Sequence, residues 1–212
     1  MSIFIIYSVL CFVLVFTCAK ISYKLNLLDI PNQRKIHKES VAYTGGIAIS
    51  VTLVLSIFLF NIYDGNLNNI LSIAFLISLV GLVDDKFNLN VSGKLSLQIL
   101  PIFYLVVFEN LNLMHLGDYE FFIIQLGTFK IPFTLLSVLF LINSFNYFDG
   151  MDGTLSFTSI SVLIILLFLY PDPSFQLFVI IILIPISIFL IFNFSFFKLP
   201  KLFLGDSGSL LI

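Results

Sequence analysis

Phe175–Phe192 reads FQLFVIIILIPISIFLIF: 18 residues with no charge, in which only Gln176 and Ser187 are polar. An uncharged apolar run of that length is the signature of a membrane-crossing helix, because the hydrocarbon core is about 30 Å thick and a helix needs about 20 residues to cross it. Six further runs resemble it: Ile3–Ala19, Gly45–Ile62, Asn69–Val83, Leu95–Phe108, Ile131–Phe145 and Thr154–Tyr170. The two shorter ones, Asn69–Val83 and Leu95–Phe108, are expected to extend into their polar flanks. An eighth run starts at Ser209, and the chain stops at Ile212. The reading is an all-α, polytopic transmembrane bundle of about seven spans plus the start of an eighth. Residues 1–212 form a single integral membrane domain, read as the N-terminal portion of a longer fold.

Composition agrees. The 212 residues include 59% hydrophobic and only 10% charged positions, and mean hydropathy is +1.12. Soluble domains carry about 25% charged residues, so a water-soluble globule is excluded. Disorder needs low hydrophobicity, and two cysteines make no disulfide framework. Cys11 and Cys18 lie seven apart on one face of the first span and read as buried thiols. A cleaved signal peptide would need a positive start, whereas the first lysine is Lys20, after the apolar run.

The few charges are sorted by side. Loops after the odd-numbered spans hold Lys20, Lys24, Arg34, Lys35, Lys38, Lys86, Lys94, Lys198 and Lys201, and the opposite loops hold only Lys130. Cytoplasmic loops carry the excess of Lys and Arg, so the first group is expected in the cytoplasm and the N-terminus outside. The outer segment Gly117–Lys130 alternates around Tyr119, Phe121, Ile123 and Gln125, which suggests a short hairpin or a re-entrant piece.

Every recognisable polar motif falls on the basic side. Asp29-Ile-Pro-Asn32-Gln-Arg34-Lys35-Ile-His37 precedes Gly45-Gly46, and Asp84-Asp85 ends the third span. Asn143-Ser-Phe-Asn146-Tyr-Phe-Asp149-Gly150-Met-Asp152-Gly153 ends the fifth, and Gly205-Asp206-Ser207-Gly208-Ser209 opens the eighth. Packed helices would gather these ends into one patch. Five acids there, Asp84, Asp85, Asp149, Asp152 and Asp206, repel one another unless protons or cations intervene. Carboxylate oxygens suit Mg²⁺, with Mn²⁺ an acceptable substitute. Taken singly, Asp84-Asp85 and Asp152-Gly153 could equally end or cap helices. The glycine-flanked Asp206 segment could present backbone N–H groups to phosphate. Arg34, Lys35, Lys38 and Lys94 could neutralise phosphates, and His37 could titrate near neutral pH. Lys20, Lys24 and Lys201 read as topology determinants and headgroup contacts. The spans contain no midplane charge of the kind that ion pathways use; Gln98 is polar, and Pro101 and Pro185 are candidate kinks.

Together, in this order and on one side, the four motifs resemble the polyprenyl-phosphate N-acetylhexosamine-1-phosphate transferases (glycosyltransferase family 4), the nearest branch being the bacterial undecaprenyl-phosphate GlcNAc-1-phosphate transferases. The resemblance runs from about Asp29 to the end of the chain. It implies Mg²⁺-dependent transfer of a sugar 1-phosphate from a UDP-N-acetylhexosamine to undecaprenyl phosphate at the cytoplasmic face of the cell membrane, with release of UMP. This would be the first membrane step of a cell-envelope polysaccharide. By the same resemblance Asp84 and Asp85 match the catalytic pair, Asp206 a metal ligand, and Asn146 and Asp149 positions near nucleotide and metal. Asn143, Asp152, Asn193, Phe203, Lys94, Arg34 and His37 fall at substrate-binding positions, with Phe203 stacking on uracil and Lys94 on a phosphate. Ala42 departs from the family's proline. The partners implied are the two substrates and the lipid bilayer, with no nucleic acid, and a homodimer is compatible. A non-catalytic relic and a membrane transporter remain as alternative readings.

Overall fold

The computed structural model describes residues 2–31, 39–61 and 64–212. Arg34 and His37, both candidate substrate contacts, lie outside the described residues. Each of the seven apolar runs is a helix: α1 (Ser2–Leu25), α2 (Gly45–Leu59), α3 (Gly65–Phe87), α4 (Val91–Phe103), α5 (Lys130–Phe148), α6 (Thr154–Leu169) and α7 (Pro173–Asn193). A short α8 (Asp206–Ser209) follows. Five helices are long and apolar enough to cross a membrane, while Gly45–Leu59 and Thr154–Leu169 are shorter apolar helices. The third and fourth runs do extend into their flanks. α3 therefore carries Asp84 and Asp85 within its last turn.

Local chemistry sets the ends. The Asp64 carboxylate accepts from the N–H groups of Asn66 and Leu67, Asn90 from Gly93, and Asp172 from Phe175, each satisfying a donor that the first helical turn leaves free. Asn88 closes α3 in the left-handed region. The two span prolines are handled differently. Pro185 has no N–H for the carbonyl of Ile181 four residues earlier, and the Tyr7 hydroxyl donates to that carbonyl at 3.0 Å from α1. After Pro101 the helix widens into a π-helical stretch, Tyr104–Phe108, with the Tyr104 N–H shared between the carbonyls of Leu100 and Pro101.

The helices alternate in direction. Phe4 packs on Phe60 at one end of the α1–α2 pair, and Ser22 hydrogen-bonds Thr44 at the other. Two apolar clusters form the interior. One centres on α1, α2 and α7 with Leu155 of α6; the other joins α3, α4 and α5 through Ile73, Ile77, Ile102 and Leu139. The segment leading into α8 sits between them, with Leu204 in the first cluster and Leu210 in the second. Two short strands, β1 (Leu28–Asp29) and β2 (Val41–Ala42), pair antiparallel near the head of α2. Leu202 bridges Ala42 in parallel, and the carbonyls of Phe203 and Leu204 accept the first N–H groups of α2 from Gly45 and Gly46. A Cβ on Gly46 would collide with the backbone of Ser207 and Gly208. That glycine is what lets α8 enter the bundle.

At the far end, the outer segment is a hairpin rather than a re-entrant piece: β3 (His115–Tyr119) pairs antiparallel with β4 (Phe122–Gln125). Its base is tied to α5 where the Leu113 N–H donates to Thr134 Oγ1.

Candidate functional site

Alternation brings the C-termini of α1, α3, α5 and α7 to the same end as the N-termini of α2, α4, α6 and α8. A cleft of about 1280 Å³ opens there. Asp84, Asp85, Asp149, Asp152, Asn193, Phe203 and Asp206 all line it. The remaining described candidates sit behind its wall.

At its centre, Lys94 of α4 reaches between two acids. Its ammonium stands 2.7 Å from Asp84 Oδ2 and 2.7 Å from Asp206 Oδ2, and donates to Asn146 Oδ1 at 3.0 Å. Asn146 in turn donates to Asp206 Oδ1 at 2.9 Å and to Ser209 Oγ at 2.7 Å. Helices α3, α4, α5 and α8 thus meet in one charged network. Asn143, one turn deeper on α5, donates to Gln98 Oε1 at 2.8 Å. Gln98 is fully buried, and its own amide donor has no partner among the described residues.

Asp84 and Asp85 divide their work. Asp84 Oδ1 accepts from the Leu89 N–H beyond the end of α3, so it both closes that helix and faces Lys94. Asp85 accepts from the N–H groups of Asp206 and Ser207, holding the first turn of α8 across 121 residues of sequence. Gly205 turns the chain into that first turn at φ +71°, and a Cβ there would run into the Tyr43 carbonyl and the Asp85 carboxylate. The acid pair thus both secures helix ends and lines the cleft.

Burial raises the pKa of Asp206, and the neighbouring Asp84 adds to the rise, against the opposing pull of Lys94 and Asn146. Asp149 is pushed up to about 6 by burial and by the charges of Asp206 and Asp152. This lies above the ordinary 3.8. The stabilisation linked to its proton is full below about 4 and is lost as pH rises through about 6. In chelator-containing buffer, Asp149→Asn is expected to flatten the fall of the melting midpoint across that interval. A profile unchanged by the substitution would mean that Asp149 titrates like a solvated acid.

The cleft also contains residues the sequence reading passed over. Lys201, read as a headgroup contact, instead pairs with Asp152 and stands 5.2 Å from the centre of the Phe203 ring. Its place two residues before Phe203 was the available signal. Tyr43 lines the cleft, its phenol pKa raised by burial and by Asp85 and Asp29. Asn88, Ser156 and Phe189 line it as well. Asn193 is nearly buried; its amide donates to the Leu202 carbonyl, and its Oδ1 has no hydrogen-bond partner among the described residues. Cys11 is buried, but Cys18 is only half-buried.

Among the described residues, no three His, Cys, Asp or Glu side chains are grouped to hold a metal ion by themselves. That donor set fits Mg²⁺, which typically takes only one or two protein carboxylates and fills its octahedron with water and substrate phosphate. The acids already gather around a cation, the Lys94 ammonium.

The sequence profile of glycosyl transferase family 4 matches residues 67–212. A probable undecaprenyl-phosphate N-acetylglucosaminyl 1-phosphate transferase of Bacillus subtilis is 27% identical over 201 residues, covering 91% of this chain and 54% of that protein. An undecaprenyl-phosphate alpha-N-acetylglucosaminyl 1-phosphate transferase of Escherichia coli O157:H7 is 32% identical over 142 residues, covering 66% of this chain and 38% of its own length. The protein of that name from Salmonella typhi is 29% identical over 206 residues, covering 94% and 56%. The chain spans about half the length of the curated relatives it matches.

Proposed function

The chain belongs to glycosyl transferase family 4, and from that premise we propose that the protein it represents moves a sugar 1-phosphate, by default GlcNAc 1-phosphate, from a UDP-sugar to undecaprenyl phosphate and releases UMP. The acceptor and the sugar follow the names of the relatives. The observation that carries the reading is the Asp84–Lys94–Asp206 network on the wall of a cleft larger than the ~300–1,000 Å³ of ordinary small-molecule sites. Such a cleft has room for two substrates. Its place at the Lys- and Arg-rich end supports a cytoplasmic active site in the plasma membrane.

The chemistry is a displacement at phosphorus. An oxygen of the lipid phosphate forms a bond to the sugar-bearing phosphorus of the donor, and the bond to the departing UMP breaks. Both partners are anions, so catalysis rests on alignment and charge compensation. Lys94 supplies fixed positive charge beside the acids, and to Asp84, on the cleft lining, we assign the proton of a monoprotonated lipid phosphate. Asp206 and Asp149 would hold Mg²⁺, which when bound would spread the charge of the diphosphate. The unpaired Oδ1 of Asn193 and the ring of Phe203 are suited to a nucleobase edge and face.

The test is direct. The reconstituted chain, with UDP-N-acetylglucosamine, undecaprenyl phosphate and Mg²⁺, is expected to release UMP in step with a lipid-linked sugar, and only when both substrates are present. A folded chain inert with every UDP-N-acetylhexosamine would refute the assignment for these 212 residues.

A further inference from the structure

At the end of the bundle opposite the cleft, the β3–β4 hairpin has one apolar face, Tyr119, Phe122 and Ile124, while the other carries Asp118 and Gln125 beside Ile123. Strand neighbours point to opposite faces, and on the apolar face Tyr119, Phe122 and Ile124 are all exposed, as is Phe121 at the tip, at 92%. An apolar face and tip left uncovered call for an apolar medium.

Helix length says which medium. Val91–Phe108 holds 18 residues, about 27 Å at ~1.5 Å per residue, against a hydrocarbon core of about 30 Å. The 19 residues of α5 come to about 28 Å. The strands therefore start where the acyl chains give way to headgroups, not out in water. The surface is also continuous with the lipid-facing side of the spans. Phe129, just before α5, and Phe133, Leu136 and Phe140 along it follow one another at helical spacing, all exposed, and lead straight into the hairpin. The hairpin's own charges are acidic, Asp118 and Glu120, and they flank Tyr119 and precede Phe121 at the turn. Its attraction to lipid is therefore apolar and does not call for anionic headgroups.

The structure assigns to the β3–β4 hairpin a lipid-binding role: it lies in the headgroup–acyl boundary, with its Tyr119–Phe122–Ile124 face and Phe121 tip against phospholipid and its Asp118–Gln125 face toward water. It thereby sets the depth of the α4–α5 pair, which carries Lys94 and Asn146 at its other end. The assignment depends on the membrane-spanning fold and not on the transferase reading.

The chain contains no tryptophan, so Phe121→Trp and Phe122→Trp each introduce a sole indole at an already exposed aromatic position. In zwitterionic phosphatidylcholine proteoliposomes, both are expected to emit at shorter wavelength than free tryptophan. Lipids brominated near the top of the acyl chain should quench most of that emission, and aqueous iodide little of it. Phe140→Trp, midway along α5, serves as the depth ruler and should respond best to bromines placed deep. Iodide quenching equal to that of free tryptophan, with no effect of brominated lipid, would overturn the assignment in favour of a hairpin standing in water. Shielding from both quenchers would overturn it in favour of a protein cover such as a second copy of the chain.

Discussion

Asp206→Asn should lower UMP release about 10²–10³-fold, a loss of ~3–4 kcal/mol of transition-state stabilisation, with the bundle still folded. Asn keeps the shape and can still open α8, and Asp85 still caps the Asp206 and Ser207 N–H groups. What is lost is the anion that meets Lys94 at 2.7 Å and Asn146 at 2.9 Å. Without it the cleft wall has one fewer carboxylate for a divalent cation, and Lys94 turns wholly to Asp84. The loss should fall mainly on kcat, and the Mg²⁺ concentration giving half-maximal rate should rise. Activity within a few-fold of the parent, with an unchanged Mg²⁺ profile, would remove Asp206 from the reaction. An unchanged melting midpoint separates this from unfolding.

The second large effect concerns stability. Lys94→Met removes the one cation that, among the described residues, pairs with Asp84 and Asp206, whose side chains are 11% and 34% exposed. Removing one partner of a buried pair costs roughly 3–5 kcal/mol because the other is left uncompensated. Asp206 is a third exposed, so water screens part of the repulsion, and about 2–3 kcal/mol is expected. In a chain of this size that lowers the melting midpoint by about 5–10 °C. Mg²⁺ should then raise the midpoint of Lys94→Met more than that of the parent, since it binds the folded state and takes over the vacated charge. Adding Asp84→Asn should restore part of the loss, a non-additivity that a double-mutant cycle measures. A Lys94→Met protein as stable as the parent would show that the acids hold protons instead of depending on the lysine.

Some of this was legible from composition along the chain. Phe175–Phe192 could be read as a span because the bilayer imposes a length and forbids unpaired charge, and neither condition depends on neighbours. The gathering of Asp84, Asp149 and Asp206 at one end followed from counting spans, since helices that alternate in direction must bring alternate loops together. Lys94 was visible as a basic residue among acids. That its ammonium bridges Asp84 and Asp206 was not, because residue 94 and residue 206 meet only once α4 packs against α3 and α8 takes its place. The same holds for Asp85 as the cap of α8, for Lys201 turned onto Asp152, and for Gln98 paired with Asn143 inside the bundle.

By itself, the sequence determined the membrane class, the seven apolar helices and the set of acids from which a site could be built, because hydrophobic length and charge segregation are one-dimensional properties. Only the tertiary structure decided which acid faces which cation, which carboxylate also holds backbone N–H groups, and which face of the outer hairpin is apolar. Those depend on distances of a few ångströms between residues up to 122 positions apart. Such distances are set by how side chains such as those around Gly46 and Gly208 let the helices approach.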